Sequence, residues 1–131
     1  MNTKVMIVDD DPDILVSFKS MLEHENYDVV TVESGAECLK KLEEGFKGII
    51  FMDILMPDMN GWDTIKEIID RGYIKDVAIN IVTGIGAKDH QQMGVLEPYI
   101  YEYLSKPVDI KDLIKSVEKS NIFLQAKSIN K

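Results

Sequence analysis

GIIFMDILMPDMNG, running from Gly48 to Gly61, joins an apolar run to an acidic residue and a turn within fourteen residues. Gly48 to Met52 is a short apolar run enriched in Ile and Phe, and it stops at a single acidic residue, Asp53. A proline-marked loop, Met56-Pro57-Asp58-Met59-Asn60-Gly61, follows. Apolar residues bounded by turn chemistry predict a buried strand. A carboxylate at the exit of such a strand sits where an open α/β sheet places its chemistry. Asp also favours turns, so a simple loop cap is the competing reading of Asp53. On this stretch alone both readings stay open, and the other strand ends must decide between them.

Working outward toward the N-terminus, Gly45 stops a helix that precedes the central strand. That helix starts at a capping box, Ser34 with Glu37, and runs through about Glu44 with Cys38, Leu39 and Leu42 inward. Cys38 therefore reads as packing rather than as a reactive thiol. Asp28 to Val32 is a strand, and Asn26 before it ends the preceding helix in a left-handed conformation. In that first helix Asp11 is the N-cap and Pro12 the first helical residue. Its apolar face is Ile14, Leu15, Phe18, Met21 and Leu22. Lys4 to Val8 is the first strand, ending at Asp9-Asp10-Asp11.

Toward the C-terminus, a helix from about Trp62 to Arg71 carries Trp62, Ile65, Ile68 and Ile69 inward and stops at Gly72. Val77 to Val82 is the fourth strand, ending at Thr83-Gly84. Ala87 to Gly94 reads as a short helix crowded by Gly86, Gly94 and Pro98. Ile100 to Leu104 is the fifth strand, closed by Ser105-Lys106-Pro107. Asp109 caps a final helix with Ile110, Leu113, Ile114 and Val117 inward, which frays from Asn121 onward. The expected organisation is one folded unit over 1–124 with a short polar tail over 125–131. Regular alternation of strand and helix predicts an α/β fold: a doubly wound, five-stranded parallel sheet of order 2-1-3-4-5, flavodoxin-like, with helices on both faces.

Bulk composition narrows the function classes. The 131 residues suit a single domain, and 45% hydrophobic with 29% charged residues is ordinary for a globular chain. A net charge of −8 argues against direct nucleic-acid binding, which needs clustered Lys and Arg. No apolar run reaches membrane-spanning length, and the N-terminus lacks a signal-peptide pattern. The single Cys38 forms no internal disulfide, which suits a reducing cytoplasm, the expected location.

Four of the five predicted strands end in a functional side chain: Asp9-Asp10, Asp53, Thr83 and Lys106. The second strand ends in Val32-Glu33-Ser34 and offers little. In a sheet of order 2-1-3-4-5, ligands sit at the carboxyl ends of strands where the order reverses, between strands 1 and 3. One crevice thus collects three carboxylates, a hydroxyl and an ammonium. Crowded carboxylates repel unless a cation joins them. Hard oxygen ligands with room for water are what Mg²⁺ accepts, or Mn²⁺ in its place. A carboxylate beside bound metal, with Lys106 and the Thr83 hydroxyl opposite, is arranged for phosphoryl transfer and an aspartyl phosphate.

The chain resembles the receiver domains of bacterial two-component response regulators over nearly its whole length. The matching pieces are Ile7-Val8-Asp9-Asp10-Asp11, Met52-Asp53-Ile54-Leu55-Met56-Pro57 with Asn60-Gly61, Val82-Thr83-Gly84, and Leu104-Ser105-Lys106-Pro107. Each piece alone is weak; all four in order, each at a strand end, are specific. The resemblance implies that Asp53 is the phosphoacceptor. It implies Asp10 and Asp53 as direct Mg²⁺ ligands, Asp9 acting mainly through water, and the Leu55 carbonyl as a backbone ligand. Thr83 and Lys106 would bind the phosphoryl group, and Pro107 follows a bond that is commonly cis in the family. Tyr103 matches the aromatic switch position: on phosphorylation Thr83 would be drawn inward and the ring would follow, shifting a two-state equilibrium. Implied partners are a sensor histidine kinase or histidine phosphotransfer protein and a downstream protein target, with no membrane contact. The protein would be a monomer or a weak phosphorylation-linked dimer. It would be a switch rather than an enzyme acting on external substrates.

Several residues carry weaker readings. Asp11 reads as a helix cap rather than a further ligand. His24 and His90 lack ligand partners at local spacing and read as surface residues, so the donor histidine belongs to another protein. Tyr99, Tyr101 and Tyr103 alternate along the last strand and share a face, either packing there or binding a partner. Ile85 to Tyr99 departs from the family pattern, with Met93, Val95, Leu96 and Pro98 replacing a small-residue helix and a Gly-Ala turn. Leu55 and Ile85, beside the acceptor and beside Thr83, are apolar and cannot orient an attacking water, so a long-lived phosphoryl group is expected. Neither an output domain nor a linker follows in this sequence, so the expected form is a stand-alone receiver, the alternative being a piece of a hybrid kinase or longer regulator. A flavin-binding electron carrier of the same fold is disfavoured, because Asp9-Asp10-Asp11 would repel a flavin phosphate. A metal-dependent phosphatase of the haloacid dehalogenase type would need an acid where Leu55 stands.

Overall fold

The computed structural model of the chain describes residues 3–84 and 94–129. Its strands are β1 (Lys4–Val8), β2 (Asp28–Val32), β3 (Gly48–Asp53), β4 (Val77–Thr83) and β5 (Ile100–Ser105). The helices are α1 (Pro12–His24), α2 (Gly35–Glu43), α3 (Gly61–Asp70) and α4 (Ile110–Ile129). Two 3-10 turns, Tyr73–Asp76 and Glu97–Tyr99, lead into β4 and β5. The strands form one sheet in the order β2-β1-β3-β4-β5, and every neighbouring pair is parallel. The expected topology is the observed one.

Strand alternation divides the core in two. Met6, Val8, Ile50, Met52, Ile79 and Ile81 pack under α2 and α3, with Leu39, Leu42, Ile65 and Ile68. Val5, Ile7, Ile49 and Phe51 face Leu15, Phe18 and Leu22 of α1 and Leu113 and Val117 of α4. A sheet covered on both faces needs apolar residues at successive positions, which is why the strands read as unbroken runs. Cys38 lies in the first cluster, and burial pushes its thiol up to about 12, so it packs and does not react.

The helix starts follow from local polar chemistry. Asp11 accepts the Asp13 N–H at 2.9 Å, and Asn60 accepts the Asp63 N–H at 2.9 Å. Ser34 accepts the Glu37 N–H at 3.1 Å, while the Glu37 carboxylate reaches back to the N–H of Glu33, one residue before the cap. Asn26 takes the left-handed conformation at φ 68°.

The C-terminal third departs from the sequence reading in three ways. First, α4 continues to Ile129 instead of fraying from Asn121. Phe123 packs on Tyr101 with ring centroids 4.9 Å apart, and the Lys127 ammonium donates to the carbonyls of Ile74 and Val77, so late anchors hold the polar turns to the sheet. Second, Tyr99 belongs to the turn before β5, so only Tyr101 and Tyr103 alternate along the strand. Third, the inward face of α4 includes polar residues. Asn80 of β4 donates to Ser120 at 2.9 Å and accepts from Ser116 at 3.4 Å, and all three are fully buried. A slip of α4 along the sheet would strand that amide, so the network fixes the helix lengthwise. Of the expected helix over Ala87 to Gly94, residues 87–93 lie outside the described residues, and 94–96 form a helical turn.

Candidate functional site

The parallel register carries separate strand ends to one edge. β1 and β3 are neighbours with Val8 opposite Met52, so Asp9 and Asp53 leave the sheet side by side. β4 lies beside β3, and Thr83 is opposite Ser105 of β5, the residue before Lys106. The strand order reverses between β1 and β3, so this edge is the switch point where such sheets bind ligands.

Asp9 and Asp53 are buried, at 2% and 5% exposure, whereas Asp10 is open to water. One carboxylate oxygen from each of the three lies within 4.8 Å of the others. Three hard anionic oxygens, one side of the cluster reaching solvent, fit the donor set and hydration that Mg²⁺ requires. The Asp9 carboxylate is held at both oxygens: Oδ1 accepts the Asp11 N–H at 2.9 Å, and Oδ2 accepts Lys106 Nζ at 2.9 Å. The same ammonium stands 3.5 Å from Asp53 Oδ1. Lys106 is positioned by its backbone, whose N–H donates to the Thr83 carbonyl at 2.9 Å, and its bond to Pro107 is cis.

Burial raises the Asp53 carboxyl, the Asp9 charge raises it further, and the charge and hydrogen bond of Lys106 oppose both, leaving it at about 6. Burial pulls the Lys106 ammonium down, and its hydrogen bond to Asp9 with the charges of Asp53 and Asp9 outweighs that, leaving it above the ordinary lysine value. One cation therefore serves two buried carboxylates. The cluster has spare negative charge that a divalent ion or a protonated Asp53 would relieve.

The loop after Asp53 is shaped by backbone bonds. The N–H groups of Met56 and Gly61 both donate to the Ile54 carbonyl, at 3.1 and 2.9 Å, and Asp58 takes a positive φ of 65°. Gly61 is required by close approach: a Cβ there would sit 2.8 Å from Ile54 Cα and collide with the Asp53 carbonyl. The first turn of α3 is thus braced against the strand end that presents Asp53. Leu55 projects into solvent at 59% exposure.

Thr83 is half-buried at the end of β4, and its hydroxyl donates to the Gly84 carbonyl at 3.3 Å, a local bond that leaves it outside the carboxylate cluster. Tyr103 stands on β5 opposite Ile81, 36% exposed, and its phenol is raised first by burial and then by the charge of Glu97. Asp11 is the α1 cap, as read, and its own N–H orients Asp9. His24 is exposed on the last turn of α1. Ile85 and His90 lie outside the described residues. The sequence reading missed Asp9 as the nearest partner of Lys106 and missed the Asn80 network. A polar Asn inside the apolar run Val77 to Val82 was the signal for the second.

The response regulator receiver domain family matches residues 5–118 of the chain. The "Transcriptional regulatory protein CpxR homolog" of Haemophilus influenzae is 33% identical over 116 residues, covering 88% of this chain and 49% of that protein. The chain thus spans about half the length of that relative. A CheY-like receiver domain protein from Methanospirillum hungatei aligns with a TM-score of 0.83 at 36% identity, covering 96% of this chain and 97% of the other. The response regulator TrrA of Thermotoga maritima, solved in complex with Mg²⁺-BeF, aligns with a TM-score of 0.75 at 29% identity over 89% of this chain and 97% of the other.

Proposed function

This chain belongs to the response regulator receiver domain family, and we propose that Asp53 is the residue on which it accepts a phosphoryl group. Its function is accordingly phosphoryl-accepting signalling in a two-component system. The observation that carries the assignment to Asp53 is the shared ammonium of Lys106, 2.9 Å from Asp9 and 3.5 Å from Asp53 at adjoining strand ends.

The proposed donor is a phosphohistidine of a sensor histidine kinase or histidine phosphotransfer protein. An Asp53 oxygen attacks phosphorus, the P–N bond to the donor imidazole breaks, and the imidazole leaves with its electron pair and takes up a proton. The carboxyl at about 6 is mostly ionised at neutral pH, as a nucleophile must be. Lys106 already faces that oxygen and would neutralise charge on the transferred group, with Thr83 donating a hydrogen bond after turning from the Gly84 carbonyl. Asp9, Asp10 and Asp53, with the Leu55 carbonyl, would hold a Mg²⁺ ion, which supplies further charge neutralisation when bound. The Thermotoga relative, solved with Mg²⁺-BeF, supports that ion for this donor set.

Thr83 and Tyr103 are the proposed switch, since they stand at the carboxyl-terminal half of adjacent strands, Thr83 half-buried and the Tyr103 ring exposed and so open to a partner. Capture of the Thr83 hydroxyl by the phosphoryl group would bias the Tyr103 ring, and a downstream protein would read the change. The receiver unit is proposed to span 1–124, with α4 continuing past that boundary to Ile129 rather than giving way to a separate tail. Turnover of external esters is not part of the proposal, because Leu55 offers no acid. No helix among the described residues is long and apolar enough to cross a membrane, and a cytoplasmic site of action is proposed.

Intact-protein mass after incubation with Mg²⁺ and acetyl phosphate tests this reading. One phosphoryl addition is expected in the wild type and none in Asp53→Asn or in EDTA. An equal addition in Asp53→Asn, or one indifferent to EDTA, would overturn it.

A further inference from the structure

The methionines of this chain sit in different surroundings. Met6 and Met52 are fully buried and Met56 is 7% exposed, whereas Met21 and Met59 are half-buried at the margins of the core. Met21 lies on α1, near its end. Met59 lies in the loop that follows Asp53, one residue before the Asn60 cap of α3. Nothing in the phosphoacceptor reading uses either thioether.

Three observations define the setting of Met59. Its sulfur is wedged where α2 meets α3: a Cβ built on Gly35, the first residue of α2, would stand 3.0 Å from Met59 Sδ and 3.2 Å from its Cγ. The same Cβ would collide with Thr64 Oγ1, so the thioether and the Thr64 hydroxyl crowd one point above Gly35. Thr64 is fully buried on α3, and its hydroxyl donates to the Asn60 carbonyl at 2.9 Å. Asn60 in turn caps α3 through the Asp63 N–H, and its neighbour Gly61 donates to the Ile54 carbonyl at 2.9 Å while lying against the Asp53 carbonyl. A short chain of contacts thus runs from the sulfur to the strand end that presents Asp53.

A thioether suits this wedge because it is apolar and a weak acceptor. Hydrogen peroxide changes both properties. A sulfur lone pair attacks one peroxide oxygen, an S–O bond forms and the O–O bond breaks. The departing hydroxide takes the proton of the transferred oxygen and leaves as water, so sulfur loses the two electrons that peroxide gains. The new oxygen needs volume that the contact with Gly35 lacks. It is also a strong acceptor beside the Thr64 hydroxyl, in competition with the Asn60 carbonyl. We propose that Met59 is an oxidation site through which a peroxide slows phosphoryl acceptance, its sulfoxide parting the first turns of α2 and α3 and loosening the support of Asp53. The effect on acceptance rests on the Asp53 reading; the oxidation and its local displacement do not. A sulfoxide is enzymatically reducible, so the change is reversible.

The test treats the full chain briefly with hydrogen peroxide, removes the oxidant, and compares wild type with Met59→Leu, a change of similar volume. Peptide mapping locates the added oxygen, and ¹⁵N amide spectra report the structure. Met59 is expected to oxidise at least about tenfold faster than Met52, with amide shifts concentrated at 35–38, 53–54 and 60–64. Oxidised wild type should label from acetyl phosphate about fivefold more slowly, and methionine sulfoxide reductases should restore the rate. Met59→Leu, treated identically and oxidised at its other methionines, should keep its untreated rate. Met59→Gln, with a polar acceptor at the same place, should reproduce the slowing without peroxide. Met59 oxidising as slowly as Met52, shifts away from the two helix starts, unchanged labelling of oxidised wild type, or equal slowing in treated Met59→Leu would each overturn the proposal. Untreated wild type that fails to label would sink the Asp53 assignment and with it the link to acceptance, while mapping and spectra still decide the oxidation site.

Discussion

Replacing Asp53 by Asn should stabilise the protein at neutral pH while removing its proposed chemistry. In the folded chain the Asp53 carboxyl sits at about 6, against 3.8 for an ordinary aspartate, because burial and the Asp9 charge resist its ionisation. The folded state therefore binds the proton more tightly than the unfolded state does. Stability contributed by protonated Asp53 is present below about pH 4 and is lost as pH rises through about 6. The difference between the two values corresponds to at most about 3 kcal/mol. Water reaches the cluster through exposed Asp10, so about 1–2 kcal/mol is the working figure. An uncharged amide in place of the carboxylate avoids that loss. For a domain of this size the variant should melt about 3–8 °C above the wild type at pH 7.5 in EDTA. The gap should shrink toward zero near pH 4. Mg²⁺ should also narrow it, by stabilising the ionised wild type and not the variant. The single, buried Trp62 supplies a fluorescence signal for the melts. A variant less stable than the wild type at pH 7.5 in EDTA, or a gap that ignores pH, would refute the claim that spare negative charge strains this site.

Four further outcomes follow from particular contacts. Lys106→Met removes the cation shared by Asp9 and Asp53, and should slow acetyl-phosphate labelling by about a hundredfold in stopped time courses. Leu55→Gln puts a group able to orient water beside the acceptor, so loss of the phosphoryl group, followed by mass, should quicken by at least about tenfold. Gly61→Ala drives a methyl group into the Asp53 carbonyl and Ile54 Cα, and should cost about 1–3 kcal/mol in urea unfolding while slowing labelling. Ser120→Ala strands the buried Asn80 amide and should cost about 1–3 kcal/mol, whereas the triple change Asn80→Leu, Ser116→Ala, Ser120→Ala should recover most of it.

The site gathers features that oppose stability: two buried carboxylates at one strand junction, an ion pair shared unequally, and a hydroxyl turned away from the cluster. Such local conflict, inside a sheet that is otherwise consistent from propensity to packing, is where function is expected to reside. Phosphorylation would add anionic oxygens that compete with Asp9 for Lys106 and attract Thr83. The proposed switch thus starts from bonds that are already made and must be exchanged.

Much of this molecule was legible in one dimension. Strand type, sheet order and the four chemically armed strand ends are written in local patterns, because apolar runs, caps and glycines act over a few residues. The left-handed Asn26, the Asp11 cap and the packing role of Cys38 belong to the same class. Tertiary structure alone decided the rest. That Lys106 lies closer to Asp9 than to Asp53 depends on two residues 97 positions apart meeting at one edge. That α4 runs to Ile129 depends on Tyr101, Ile74 and Val77, which lie far back in the chain and supply anchors that helix periodicity does not record. The burial of Ser116 and Ser120 looks wrong for an inward face until Asn80 is seen across from them. Local free energies are additive along the sequence and can be read from it. Pairings of polar groups distant in the chain are set by which faces the fold presses together, and only the packed structure specifies them.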